Sequence, residues 1–313
     1  MENISTSHIL TVTALNDWDW TSRILFFSFA LPGYLITIVM NATLILIIAF
    51  EKALHEPMYI FLCNLCVNDL CGITGFYPKA LVYLLTETNR ISLEECIVQG
   101  LVIVIYAVGE FSNLSVMAID RYLAICRPLH YHSIMSPFTV LCLLSFNWVF
   151  PFIASLVAIV VAMKNPICKY DIDKLFCENL SLVNLGCKPD ISYGIFNGWM
   201  YGSVIILIGF VLISYFKIIL ACRKSKVSRE KFYSTCMPHL IIFLNYIGCS
   251  FFDSSQTELR AKSQYVSHFV HMFLSVIFLT LPPIVNPVIY GIKLSPIRAK
   301  ILYIFHHLSI STL

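Results

Sequence analysis

Seven long apolar runs, separated by short stretches rich in charge and turn residues, organise this sequence. They are Ile24 to Phe50, Pro57 to Leu85, Ile97 to Cys126, Thr139 to Ala162, Ile191 to Cys222, Phe232 to Phe252 and Tyr265 to Ile292. Each reaches the roughly 20 mostly apolar residues that a helix needs to cross a bilayer. The pattern predicts an all-α membrane protein, a seven-helix bundle, where a length of 313 residues would otherwise suggest two soluble domains. Composition agrees. Charged residues make up 12% and apolar types 58%, with a mean hydropathy of +0.79, whereas ordinary soluble domains carry roughly a quarter charged residues. A soluble enzyme or a collagenous chain is excluded, and a net charge of +3, dispersed along the chain, does not call for a nucleic-acid partner.

Loop charge sets the orientation. Twelve Lys and Arg residues, including Lys52, Arg121, Arg127, Lys217, Arg223, Lys293 and Lys300, fall on one side with three acids, Glu51, Asp120 and Glu230. The opposite side holds nine basic residues against twelve acidic ones. The basic side is expected in the cytoplasm. Residues 1–23 are then an extracellular N-terminal segment, 24–292 the seven-span domain and 293–313 a cytoplasmic tail. The first 20 residues carry Glu2, Asp17 and Asp19 but no Lys or Arg, so they lack the basic region of a cleavable signal peptide. In the tail, Pro296 to His307 interleaves Arg298, Lys300, His306 and His307 with apolar residues, the pattern of an amphipathic helix lying on the inner membrane surface.

Of twelve cysteines, Cys96, Cys168, Cys177 and Cys187 fall on the oxidising side, and four cysteines allow three pairings. Cys63 and Cys66 are read as packing residues in an apolar helix. Asn-x-Ser/Thr sequons occur at Asn3, Asn41, Asn113 and Asn179. Only Asn3 and Asn179 lie where glycan can be added. Two carboxylates, Asp69 and Glu110, sit at membrane depth, where an ionisable group is costly and marks function. A cation shared between them, sodium, would keep both ionised; the competing reading is a hydrogen-bonded structural pair with one acid neutral. An intramembrane aspartyl protease fits poorly because it normally uses two aspartates.

At the inner end of the third span stands Met117-Ala118-Ile119-Asp120-Arg121-Tyr122-Leu123-Ala124-Ile125-Cys126. This resembles the signature of odorant receptors, a branch of the rhodopsin-like G-protein-coupled receptors, with Ile119 where the family usually has Tyr. Further matches follow in order: Asn41, Leu54-His55-Glu56-Pro57-Met58-Tyr59, Ser214-Tyr215, Lys231-Phe232-Tyr233-Ser234-Thr235-Cys236 with His239, and Pro283-Ile284-Val285-Asn286-Pro287-Val288-Ile289-Tyr290. The stretch Arg127 to Met135 is similar to fish odorant receptors. Two departures stand out. Lys174-Leu175-Phe176-Cys177-Glu178 has a cation where the family usually has His, so no copper site is expected there. Tyr246-Ile247-Gly248 replaces Phe-Tyr-Gly, which puts the usual switching role of that tyrosine in question at Ile247.

The resemblance implies a multi-pass plasma-membrane receptor, not an enzyme and without an organic cofactor; the sodium suggested by Asp69 and Glu110 is its one candidate ion. Its partners would be a small-molecule odorant, the lipid membrane and a heterotrimeric, stimulatory G protein. It also implies the disulfides Cys96–Cys177 and Cys168–Cys187, and coupling and switching through Asp120, Arg121, Tyr122, Tyr215, Asn286, Pro287 and Tyr290. Helical spacing adds the ligand end. At 100° per residue, Arg121 and Glu110 are only about 20° off one line, and that face continues outward through Ala107 and Ile103. Ile103, Val104, Ala107 and Val108 are therefore expected to floor a pocket. Met200, Ser203 and Val204 would face them from the fifth span, Ile247, Ser250, Phe251 and Ser254 from the sixth, and Val276 and Leu279 from the seventh. Such walls, apolar with a few hydroxyls, suit a weakly polar ligand rather than a charged amine. A rhodopsin-like receptor for some other ligand is the nearest alternative. A transporter or channel would show broken helix pairs or internal symmetry, and none is apparent.

Overall fold

The computed structural model describes residues 9–16, 18–86, 88–188, 191–223, 236–253 and 268–311, with side chains at 268–275 and 304–311 left aside. Among them, seven helices are long and apolar enough to cross a membrane. They are α1 (Trp20–Phe50), α2 (Pro57–Leu85), α3 (Leu93–Cys126), α5 (Pro137–Ala162), α7 (Ile191–Cys222), α8 (Cys236–Asp253) and α9 (His268–Lys293). Two short helices, α4 (Tyr131–Ile134) and α6 (Asn179–Asn184), lie in loops, and α10 (Ser295–Ser311) follows the last span.

Several helices begin earlier than their apolar runs, and local chemistry explains each case. Asp19 caps α1 by accepting from the Ser22 amide. Ser92 and Glu95 form a reciprocal capping box that starts α3 four residues ahead of Ile97. Ser136 caps α5, with Pro137 in the first turn where its missing N–H costs nothing. The expected starts at Phe232 and Tyr265 lie outside the described residues.

The third span is the axis of the bundle. It is the most buried of the seven and packs along α2, α5 and α7. Its contact with α2 is close because glycines remove side chains on both sides. A Cβ at Gly72 would fall 2.5 Å from the Tyr106 ring, and one at Gly109 would fall 2.5 Å from Asn68 Oδ1. Small residues of this kind let membrane helices approach where the hydrophobic effect cannot drive them together.

Polar residues then fasten the helices. Asn113 Oδ1 accepts from Asn64 Nδ2 at 2.5 Å and from Asn147 Nδ2 at 2.9 Å, while Trp148 Nε1 donates to Asn64 Oδ1 at 2.7 Å. This network ties α2, α3 and α5 together at mid-membrane and gives the Asn113 sequon a structural role.

A small sheet covers the outer end. β1 (Ile9–Val12) is its central strand, antiparallel to β2 (Arg90–Ser92) and parallel to β3 (Asp171–Ile172). Beneath it Arg23 is buried, and among the described residues no carboxylate pairs with it. Its guanidinium donates to the Leu15, Tyr83 and Thr86 carbonyls and to Asn89 Oδ1, at 2.8 to 3.3 Å. Two of those carbonyls close the C-terminal turn of α2, where a cation is favoured. On the cytoplasmic side α10 docks through buried Ile297 and a Lys300–Glu51 ion pair, with Leu294 buried in the link just before it.

Asn3 lies outside the described residues. Asn179 opens α6 two positions after Cys177, and its Oδ1 is buried without a hydrogen-bond partner, a poor place for a bulky glycan. The expected outcome is one glycosidase-sensitive shift, removed by Asn3→Gln and untouched by Asn179→Gln. Gel mobility of the two variants before and after deglycosylation decides it.

Candidate functional site

Three polar side chains meet at the centre of the bundle. Asp69 from α2, Glu110 from α3 and Asn286 from α9 are all fully buried. Asn286 Nδ2 donates to Asp69 Oδ1 and Oδ2 at 3.2 and 3.0 Å and lies 3.5 Å from Glu110 Oε1. Glu110 Oε2, Asn286 Oδ1 and Asn41 Oδ1 are buried with no hydrogen-bond partner. The sequence makes this arrangement possible through Pro287. Lacking an N–H, it leaves the Pro283 carbonyl without its helical partner, and Asn41 Nδ2 supplies the missing donor from α1 at 2.9 Å. The helix break and the acid pair are thus adjacent, joined by Asn286.

At the inner end of α3, Asp120 is fully buried and holds two groups. One oxygen, Oδ2, accepts from Arg121 Nε at 2.8 Å and also from Nη2; the other, Oδ1, accepts from the Tyr131 hydroxyl at 2.7 Å. Arg121 is 11% exposed, so its guanidinium is folded against the bundle. Tyr131 comes from the short helix α4, and burial followed by its bond to Asp120 pushes its phenol above the usual range. Nearby, the Tyr215 hydroxyl and His239 Nδ1 are hydrogen-bonded between α7 and α8. Tyr290 is buried with its hydroxyl unpartnered. Tyr122 is half-buried under Lys217, whose Nζ sits 5.7 Å from the ring centroid.

Toward the outside, Ile103 and Val108 are buried and Val104 and Ala107 half-buried on α3. Val276 and Leu279 are buried on α9, while Met200, Ser203 and Val204 are half-buried on α7. Ser203 Oγ is turned back to the Trp199 carbonyl at 2.9 Å. On α8, Ile247 and Ser250 are half-buried, but Phe251 is 69% exposed and projects away from the bundle. The inner face of α8 runs through Cys236, His239, Ile242, Phe243, Tyr246 and Cys249, so position 251 is out of phase with it. Ser254 lies outside the described residues.

Tyr246 is the residue that spacing missed. Its hydroxyl donates to the Ala107 carbonyl at 2.8 Å, and its ring packs edge-on against Phe111 with centroids 4.7 Å apart. With Tyr106 and Phe278 it forms an aromatic layer between the outer half of the bundle and the acid pair. Ile247, one position on, carries no hydroxyl.

The second extracellular loop roofs this region. Cys96 and Cys177 are joined, with Cα atoms 5.3 Å apart, and Cys168 and Cys187 form a second bridge. Gln99 binds the roof from below, accepting from the Cys177 amide and donating to the Gly75 carbonyl. Lys174 bonds Glu178 at 2.8 Å and, at the outer end of α8, Asp253 at 3.1 Å. These charges at the mouth were not anticipated. Burial pulls the Lys174 pKa down, but the two carboxylates outweigh it and the net shift is upward. The charge is therefore kept at neutral pH, and its contribution is lost only as pH rises through that raised value. Glu178 is pushed up, since its burial exceeds the pull of Lys174.

The family model described as "Olfactory receptor" matches residues 29–307. Mouse olfactory receptor 4B13 is 31% identical over 84% of this chain and 85% of its own. Dog olfactory receptor-like protein OLF4 is 34% identical over 88% and 89%, and human olfactory receptor 10A6 33% over 86% and 85%. The crystal structure of squid rhodopsin superposes with a TM-score of 0.72, covering 95% of this chain and 89% of that one, at 16% identity. That likeness speaks for the rhodopsin-type helix bundle. The chain belongs to the olfactory receptor family and is a multi-pass receptor of the plasma membrane, not an enzyme.

Proposed function

We propose that this receptor binds a small, weakly polar odorant in the outer half of the bundle, above the aromatic layer, and activates a stimulatory, olfactory-type G protein. The observation that carries the reading is the Tyr246–Ala107 hydrogen bond. It is a buried tether between α3 and α8, placed beside the α3 residues expected to floor the pocket. A ligand hydroxyl or carbonyl competing for the Tyr246 phenol would release α8 from α3 without needing a charge. Only a ligand that binds the released packing better can shift the equilibrium. At the inner end the same release would separate α8 and α7 around Tyr215 and His239 and expose Arg121 to the G protein.

The test is ligand-dependent cyclic-nucleotide production in cells given this chain and that G protein. Tyr246→Phe is expected to raise basal output. Loss of one buried hydrogen bond, about 1 kcal/mol, shifts a two-state equilibrium about fivefold. Basal output equal to that of the parent at matched surface levels would remove Tyr246 as the tether.

The central cluster also fits sodium in the resting packing. Asp69 and Glu110 would hold it, with the unpartnered oxygens of Glu110, Asn286 and Asn41 available to it, since hard cations take oxygen ligands. Bound there, a cation would neutralise two acids that otherwise lie within hydrogen-bond reach of each other and share the Asn286 amide. Glu110→Gln and Asp69→Asn are expected to abolish sodium sensitivity and alter basal activity while leaving Arg121 in place. Titration of sodium against potassium or a larger organic cation, at fixed ionic strength, separates binding from screening. A sodium response unchanged in both variants would leave the pair with a structural role.

A further inference from the structure

A cavity of about 890 Å³ lies outside the bundle core, on the lipid-facing side of α2 and α3. Its walls are Val67, Leu70 and Thr74 on one helix and Val98 and Val102 on the other, and Trp148 of α5 lines it as well. Val98 is 61% exposed, so the opening faces the bilayer. We infer that this groove binds a neutral membrane amphiphile of the sterol kind, a rigid apolar body bearing one hydroxyl, drawn from the outer leaflet.

Depth is the first argument. From Val67 to Lys79 the groove follows twelve residues of α2, about 18 Å at the helical rise. With Lys79 at its polar outer edge, that is close to the depth of one leaflet, about half of a hydrocarbon core of about 30 Å, so the occupant belongs to one leaflet. Trp148 marks the inner end, fixed by its bond to Asn64 and, through Asn64, to Asn113 and Asn147. A helix of a second copy would have to continue past that ring through the full bilayer. The volume instead matches a single small molecule.

Polarity is the second argument. Apart from Thr74, the walls are apolar up to the outer end, where Lys79 Nζ bonds Glu95 Oε2 at 2.9 Å and Glu94 adds another acid. One cation against two acids disfavours an anionic headgroup, and a hydroxyl can donate to either carboxylate. The floor is rigid and shallow, because α2 and α3 meet closely at Gly75, where an added Cβ would fall 2.6 Å from Val102. A stiff, flat body loses little conformational freedom on such a surface, whereas flexible acyl chains lose much.

The native receptor in neutral phosphatidylcholine nanodiscs is the material for the test, with a photoactivatable sterol carrying a free hydroxyl as probe. Labelling is expected to saturate, to map to peptides containing residues 67–79 and 94–102, and to be competed by unlabelled sterol but not by its methyl ether. Val98→Trp, which fills the groove from the lipid side, should lower labelling about tenfold, the effect of roughly 1.4 kcal/mol. Ile206→Trp, at a lipid-exposed position on α7, should leave it unchanged. If Val98→Trp does not assemble, Val67→Trp takes its place, and competition on the native protein stands without either. Labelling that does not saturate, equal competition by the ether, or equal labelling of the same peptides by a photoactivatable phosphatidylcholine would each overturn the site.

Discussion

Arg121→Ala is expected to abolish G-protein signalling while surface delivery and ligand binding remain measurable. The guanidinium is held by Asp120, which is itself held by Tyr131, so at rest the cation is engaged within the protein. Activation would transfer it to the G protein, and alanine leaves nothing to transfer. The substitution also strips a buried carboxylate of its cation, which can cost about 3 to 5 kcal/mol, so failure to fold must be told apart from failure to signal. Combining Arg121→Ala with Asp120→Asn removes the orphaned charge and should restore expression but not output. Asp120→Asn alone should act in the opposite sense, freeing Arg121 and raising basal activity. Cyclic-nucleotide production, normalised to surface receptor, reads all three. Normal signalling by a well-expressed Arg121→Ala receptor would show that the assigned role is wrong.

Loss of the Cys96–Cys177 bridge should be nearly as severe. The bond closes a separation of 81 residues, for which chain entropy gives about 4.5 kcal/mol. Because inserted spans already restrict the unfolded chain, that figure is an upper bound. More than entropy is at stake, since Cys177 anchors the segment carrying Lys174, Phe176 and Glu178, and Phe176 packs edge-on against Phe76 with centroids 5.7 Å apart. Cys96→Ser or Cys177→Ser should reduce surface receptor sharply and lower the unfolding temperature. Cys168→Ser, which opens a separation of 19 residues, should do less, about 3 kcal/mol by the same relation. Peptide mapping without reduction should recover both bridges, and a Cys96–Cys168 link would refute the pairing.

Long apolar runs made the spans legible, because bilayer thickness fixes a length that any hydropathy reading recovers. Asp69 and Glu110 were legible for the same reason, as charges in the wrong solvent. What escaped depends on side chains meeting across helices. Phe251 was expected to face the pocket with Ile247 and Ser250, yet Tyr246 and Cys249 set the inner face of α8, and two steps of 100° beyond Cys249 carry position 251 outward. Tyr131 gives no sequence sign that it reaches Asp120, because a loop has no period to read. Asn113 looked like a stray sequon until Asn64 and Asn147 appeared beside it. Arg23 was counted among outer-side charges, and only the Leu15 carbonyl, Asn89 and the end of α2 explain why a cation is buried there.

The sheet over the outer end has a consequence for biogenesis. β1 is synthesised before its partners, β2 after two spans have been inserted and β3 only after four. One edge of its backbone can pair with β2, but the other must wait unpaired on the lumenal side until residues 171–172 emerge, and the roof cannot close earlier. During that interval the strand is open to chaperones and to pairing with other nascent chains. A tag or fusion that shields residues 9–12 would delay maturation at this step, with the spans already in place.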